Sequence, residues 1–129
     1  MALTVLDASV LIAQLDQADV HHGAAAKMLR ERAGDDLRLP ASAYSEALVD
    51  AARRKSLDRA RALTEELAIR VEPITAEAAE EAARLRARHR FLRLPDALVL
   101  ACANVLDADA IVTADRSWRR FSKRVSVIG

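Results

Sequence analysis

Leu3-Thr4-Val5-Leu6-Asp7-Ala8-Ser9-Val10-Leu11-Ile12 is the stretch whose reading decides the fold. Apolar and β-branched residues run straight into an acid and then resume with no turn-breaking residue between them. That is the pattern of a strand buried on both faces, ending at Asp7 and passing directly into a helix. A carboxylate in such a place is costly unless it is paired or bound to a cation. Asp7 therefore predicts a site, provided other acids reach the same sheet edge.

Outward from this stretch, strand and helix patterns alternate. A short apolar helix over Ala8–Leu15 is followed by a polar loop and a second helix over about 21–33, with Ala24 and Met28, and Ala25 and Leu29, at helical spacing. Leu37-Arg38-Leu39-Pro40 reads as a short strand, and Ser42 begins a helix carrying Glu46 and ending in Arg53-Arg54-Lys55. Ser56 caps a further helix, and Val71-Glu72-Pro73-Ile74 reads as a brief strand. Thr75 caps the next helix, whose acids lie early and whose arginines lie late, the polarity a helix dipole favours. Pro95 sits in the first turn of an apolar helix reaching about Asp107, and Ala110–Thr113 and Val125–Ile128 are the last strands. This order predicts an α/β fold of three layers, a mostly parallel central sheet flanked by helices, formed by residues 1–129 as one domain.

Helix and strand lengths sort the acids. The helix from Pro95 to about Asp107 spans roughly 18 Å and the strand from Ala110 roughly 16 Å, so the chain goes down and returns by the same distance. Asp96 and Asp115 thus come back to one edge. Asp7 ends a strand there, and Glu46 lies one to two turns into a helix that starts just past a strand end, so both join them. Ligands bind at this carboxyl-terminal edge in open α/β sheets. Asp35, Asp36, Asp107 and Asp109 precede strands and belong to the opposite edge as turn acids, and Asp50 is spaced to pair with Arg53 or Arg54.

Two carboxylates about 4 Å apart repel by roughly 4 kcal/mol at an effective dielectric near 20, so four in one pocket call for a cation. Oxygen-only ligation selects Mg²⁺, or Mn²⁺ in its place, and Mg²⁺ takes one or two protein carboxylates directly while keeping waters. Asp7 and Asp96 are the expected direct ligands. Asp115 ligates directly or through water, and Glu46 either ligates or orients the attacking water. Ser9 and Thr113 either donate hydroxyls to the acids or act only locally, as helix cap and strand filler.

Composition excludes several other chemistries. Charged residues make up 30% of the chain, yet the net charge is +1, so any basic surface is local. Cys102 is the single cysteine, which rules out an intrachain disulfide and a cysteine-based zinc site. With 3 glycines there is no glycine-rich phosphate cradle. No signal-like or membrane-length apolar segment is evident, and the expected location is cytoplasmic, with no membrane partner. His21, His22 and His89 are read as surface residues. Trp118, Tyr44, Phe91 and Phe121 are too few for an extended base-stacking platform, and Trp118 is read as core or interface.

Val5-Leu6-Asp7-Ala8-Ser9, Ser45-Glu46-Ala47, Leu94-Pro95-Asp96-Ala97-Leu98 and Val112-Thr113-Ala114-Asp115 together resemble the four acidic motifs of PIN domains, in particular the VapC-like toxins of type II toxin-antitoxin pairs. The likeness covers the whole chain in order and spacing. It implies a Mg²⁺- or Mn²⁺-dependent endoribonuclease that hydrolyses phosphodiester bonds of an RNA substrate. It also implies a homodimer, and inhibition by a cognate antitoxin whose C-terminal segment lies across the active-site groove. Asp7, Glu46, Asp96 and Asp115 would be its catalytic acids. Arginines near them in sequence, Arg53, Arg54, Arg90, Arg93, Arg116, Arg119 and Arg120, either steer RNA to the acidic pocket or are solvated helix ends. The competing expectation is a catalytically silent PIN-like module that binds RNA or protein. A phosphatase with an aspartate nucleophile would want a second acid where Ser9 stands.

Overall fold

The structure, a computed structural model, describes residues 1–129. Five strands form one sheet: β1 (Leu3–Leu6), β2 (Asp36–Pro40), β3 (Ile69–Glu72), β4 (Ala110–Thr113) and β5 (Val125–Val127). Their order is β3-β2-β1-β4-β5, and every pairing is parallel, one step beyond the mostly parallel sheet expected. Flanking it are α1 (Ala8–Leu15), α2 (His22–Glu31), α3 (Ala41–Arg53), α4 (Leu57–Glu66), α5 (Ala76–Arg88) and α6 (Leu94–Val105), with a 3₁₀ helix at Arg116–Arg120.

β1 lies at the centre because its sequence can be covered on both sides. Val5 and Leu6 are fully buried, and all of β4 beside it is buried, whereas the edge strands β3 and β5 keep exposed positions. Val5 lies opposite Ile111 on one side and Arg38 on the other. The chain turns from building outward through β2 and β3 to building outward through β4 and β5, so β1 and β4 flank the place where the strand order reverses. Ligands enter open parallel sheets at the carboxyl end of such a place.

The core gathers Leu6, Val10, Leu11, Leu39, Leu100, Ile111, Val112 and Trp118, all fully buried. Leu11 and Leu29, weighed in the sequence as either surface or core, are core, and Leu15 is half-buried against it. α6 buries Ala97 and Val99 to Ala103 and is apolar nearly all round, as read. Asn104 at its far end donates to Glu81 at 2.8 Å and ties it to α5. No helix is long and apolar enough to cross a membrane.

Three local expectations need correction. β3 occupies Ile69–Glu72 rather than 71–74: Ala68 closes α4 in the left-handed conformation (φ 55°), Ile69 pairs with Leu37, and Pro73, lacking an N–H, stays outside the ladder. Ser56 does not cap α4; its hydroxyl donates back to the Ala51 carbonyl at 3.3 Å. The histidines are half-buried rather than surface residues, with His22 Nδ1 donating to the Ala13 carbonyl at 2.6 Å and His89 edge-on to Phe121.

Candidate active site

Asp7 sits where β1 has ended and α1 has not begun, and it serves as the N-cap of α1. Its Oδ1 accepts from the Ala8 amide at 2.8 Å, while Oδ2 accepts hydroxyls from both Ser9 and Thr113 at 2.9 Å. Those hydroxyls have little freedom. Ser9 Oγ itself accepts from the Ala114 amide at 3.0 Å, and Thr113 Oγ1 accepts from the Asp115 amide at 3.1 Å. With their acceptor sides engaged by backbone, both hydroxyls turn their protons to Asp7. The Asp7 amide donates to Val112 O at 2.9 Å, so side chain and main chain both fasten the end of β1 to the end of β4. Of the two sequence options for Ser9 and Thr113, the structure takes the donor one.

Asp96 occupies the first turn of α6, which Arg93 opens and Pro95 enters. Its carboxyl is pushed up to about 6, first by burial, then by the charge of Asp7, with Asp115 and Glu46 adding to the effect and Arg93 opposing it. Glu46 on α3 is raised by burial and by Asp7, again against Arg93. Burial raises Asp7 as well, and the Thr113 and Ser9 hydroxyls work against it. Asp115 lies two residues past the end of β4, caps the 3₁₀ helix by accepting from the Ser117 amide at 2.9 Å and hydroxyl at 2.7 Å, and is exposed. The structure thus brings Asp7, Glu46, Asp96 and Asp115 into one electrostatic neighbourhood at the carboxyl end of the sheet.

The acids assigned to the other edge lie there and are satisfied locally. Asp109 accepts from the Leu3 amide at 2.7 Å, Asp36 pairs with Arg38 at 2.9 Å, and Asp107 pairs with Arg124 at 3.0 Å. Asp50 pairs with Arg54 at 3.1 Å on the open surface and takes no part in the acidic neighbourhood.

No three acids converge tightly enough to cage an ion by themselves. The donor set nevertheless suits a hard cation: carboxylate oxygens alone, one carboxylate oriented by two hydroxyls, and three acids raised by burial, two of them also by the charge of Asp7. Mg²⁺ fits such a site because it needs only one or two protein carboxylates and supplies the rest of its octahedron with water. Beside Glu46, between α1 and the pair α3 and α4, runs a cavity of about 1080 Å³ whose walls include Ile12, Val49, Leu63, Arg53, Arg54 and Arg59. Ile12 and Val49 are exposed there. Phe91, counted in the sequence only among aromatics too few for a stacking platform, lies on the turn between α5 and α6, and the structure leaves it out of the core.

Comparison with known proteins follows the same lines. The family model described as PIN domain matches residues 4–124. A toxin-antitoxin complex from Klebsiella pneumoniae has a chain of similar structure, with TM-score 0.79 and 21% sequence identity over 96% of both chains. DNA-bound VapBC from Salmonella typhimurium gives TM-score 0.77 at 16% identity over 98% of both chains. VapC20 from Mycobacterium tuberculosis, described as a sarcin-ricin loop cleaving toxin, gives 0.74 at 22% identity, covering 93% of this chain and 97% of its own. At these identities the likeness is one of fold. No curated protein sequence matches the chain.

Proposed function

Because this chain belongs to the PIN domain family, we propose that it is a divalent-metal-dependent endoribonuclease, acting as a single domain and as the toxin of a type II toxin-antitoxin pair. The observation that carries the proposal is the gathering of Asp7, Glu46, Asp96 and Asp115 at one sheet edge, where burial first and the neighbouring acids second push Asp96 up to about 6. Structural carboxylates are arranged to avoid such crowding, and catalytic ones are not. The sarcin-ricin loop cleaving neighbour supports an RNA substrate, and the toxin-antitoxin neighbours support a protein inhibitor. The cavity that includes Glu46 in its lining, with apolar, acidic and basic walls, suits a peptide segment laid beside the acids. The proposal extends to a homodimer, which sedimentation of the purified chain tests.

Asp7 and Asp96 would hold Mg²⁺ or Mn²⁺, with Asp115 directly or through water. The ion would lower the pKa of a coordinated water and neutralise charge on the scissile phosphate. Asp7 is prepared for this by its two hydroxyl donors, which favour its ionised form against its burial. Glu46 on α3, its carboxyl raised, would orient the attacking water and accept its proton. Arg93 is the cation nearest in effect to both Glu46 and Asp96, and it would meet the phosphate that the acids alone would repel.

The test is cleavage of a mixed RNA pool by the purified chain with Mg²⁺ or Mn²⁺, beside a chelator control and Asp7→Asn. Metal-dependent cutting lost in the variant is expected. A folded chain, free of antitoxin, that binds RNA but never cuts it under either metal would leave the catalytically silent module as the better description.

A further inference from the structure

Phe91 is 90% exposed, more than any other large apolar residue except Met1. Its turn, residues 89–93, is nevertheless well fixed. Leu92 is buried, Arg86 Nε donates to the Leu92 carbonyl at 3.2 Å, and the His89 ring meets Phe121 edge-on at 5.1 Å. The flanking residues are anchored while the ring between them faces solvent. The chain forgoes the stabilisation that burying a phenyl ring brings.

The side chain seen against the ring is basic. Arg90 lies with its guanidinium 5.8 Å from the Phe91 ring centroid. Two residues further on, Arg93 acts on both Asp96 and Glu46. The contact of His89 with Phe121 sets the turn beside the 3₁₀ helix of Arg116–Arg120. Arg90, Arg93, Arg116, Arg119 and Arg120 are all exposed, and none is in an ion pair, unlike Arg38 or Arg54. Five unpaired arginines, one on the ring itself and the others on its turn and on the neighbouring 3₁₀ helix, suit a polyanion that carries aromatic bases better than they suit an apolar protein surface. Five residues of chain reach at most about 17 Å, so the Phe91 backbone lies no further than that from Asp96.

We infer that Phe91, backed by Arg90, is a stacking contact for one unpaired base of the RNA beside the scissile phosphate, with Arg93 and the Arg116–Arg120 helix on the adjoining phosphates. This rests on the ribonuclease reading and adds a residue that selects among its substrates. A lone ring takes a single base, which must be free of a duplex to reach it. The contact therefore favours single-stranded or looped RNA over paired RNA.

Phe91→Ala, Phe91→Trp and Phe91→Leu would be compared in two assays with random-sequence single-stranded oligoribonucleotides. One is steady-state cleavage; the other is fluorescence anisotropy in the Asp7→Asn background. Phe91→Ala is expected to raise KM and Kd roughly tenfold with kcat little changed, Phe91→Trp to restore both, and Phe91→Leu not to. Duplex RNA should show no dependence on residue 91. Equal binding by Phe91→Ala, or rescue by Phe91→Leu as complete as by Phe91→Trp, would overturn the stacking role. So would a change confined to the sedimenting mass of the chain, which would make the ring an interface between copies. If the unaltered chain binds in a Phe91-dependent way but never cuts, the stacking contact stands and the nuclease reading falls.

Discussion

The two ends of the sheet hold the same kinds of residue and treat them oppositely. At the amino-terminal end each acid has a donor: Asp36 has Arg38, Asp107 has Arg124, and Asp109 has the Leu3 amide. Asp36 accordingly sits below the ordinary carboxylate range, chiefly through its bond to Arg38. At the carboxyl-terminal end Asp7 and Asp115 have only amides and hydroxyls, none of the four acids is in an ion pair, and Asp7, Glu46 and Asp96 are all raised, by burial first. Nothing in the polypeptide forbids arginine pairing there, since Arg93 is close enough to be felt by two of them. The difference is that arginines hold acids at one end and leave them unpaired at the other, which under the proposed function would be completed by a cation and a phosphate.

Exchanging a charge at each end sharpens the contrast, beginning with the largest effect. Asp96→Asn should cut RNA cleavage by about 10²- to 10³-fold. The same change should raise the melting temperature of the metal-free protein at neutral pH by a few degrees, because about 1 kcal/mol of repulsion is relieved once solvent screening is allowed for. An Asp96→Asn protein that melts lower would remove the repulsion from the picture. Ser9→Ala and Thr113→Val should each raise the Mg²⁺ concentration needed for cleavage by roughly 10- to 100-fold, read from a metal titration, as expected for donors that orient a ligand. At the other end Arg38→Ala, whose guanidinium holds Asp36 and Glu72 across β2 and β3, should cost about 2 kcal/mol in denaturant unfolding and leave cleavage per folded molecule unchanged.

The smallest effect separates the ends by pH. A carboxyl raised in the fold stabilises it fully below the unfolded value and loses that contribution as pH rises through the folded one. For Asp96 the window runs from 3.8 to about 6. A lowered carboxyl acts the other way, so Asp36 and Glu81 contribute above their ordinary values of 3.8 and 4.5 and fail as pH falls. Unfolding free energy of the metal-free chain should therefore drop by about 1 kcal/mol between pH 4 and 6 at the site's expense. Mg²⁺ should flatten that decline and leave the acid limb untouched. An identical profile with and without the ion would mean that the acids do not bind it together.

Most of this contrast is legible in the sequence because it follows from lengths. A helix and a strand of equal rise must bring Asp96 and Asp115 back to one level, and a buried strand with no breaker before its helix fixes Asp7 at the end. What could not be read depends on conformations that the residue types do not advertise. Ala68 and Lys55 both close helices with positive φ, the role glycine usually signals, so the start of β3 and the fate of Ser56 were hidden. Phe91 was illegible for a different reason. An aromatic between two arginines looks the same whether the turn folds it inward or holds it out, and only Leu92 taking the buried position settles the matter.

The bond from Thr113 to Asp7 joins residues 106 apart. On a ribosome the amino-terminal strand emerges first, yet its acid stays unsupported until nearly the whole chain has been made. Asp96 and Asp115 are also late arrivals. Under the proposed activity, a fragment released partway through translation would lack both the support of Asp7 and half of the acids, so the ability to cut would arrive only with the finished chain. Pairing the first strand with the fourth is slow in folding, because distant segments must meet. Under the proposed activity, that delay would postpone the ability to cut until the chain is complete.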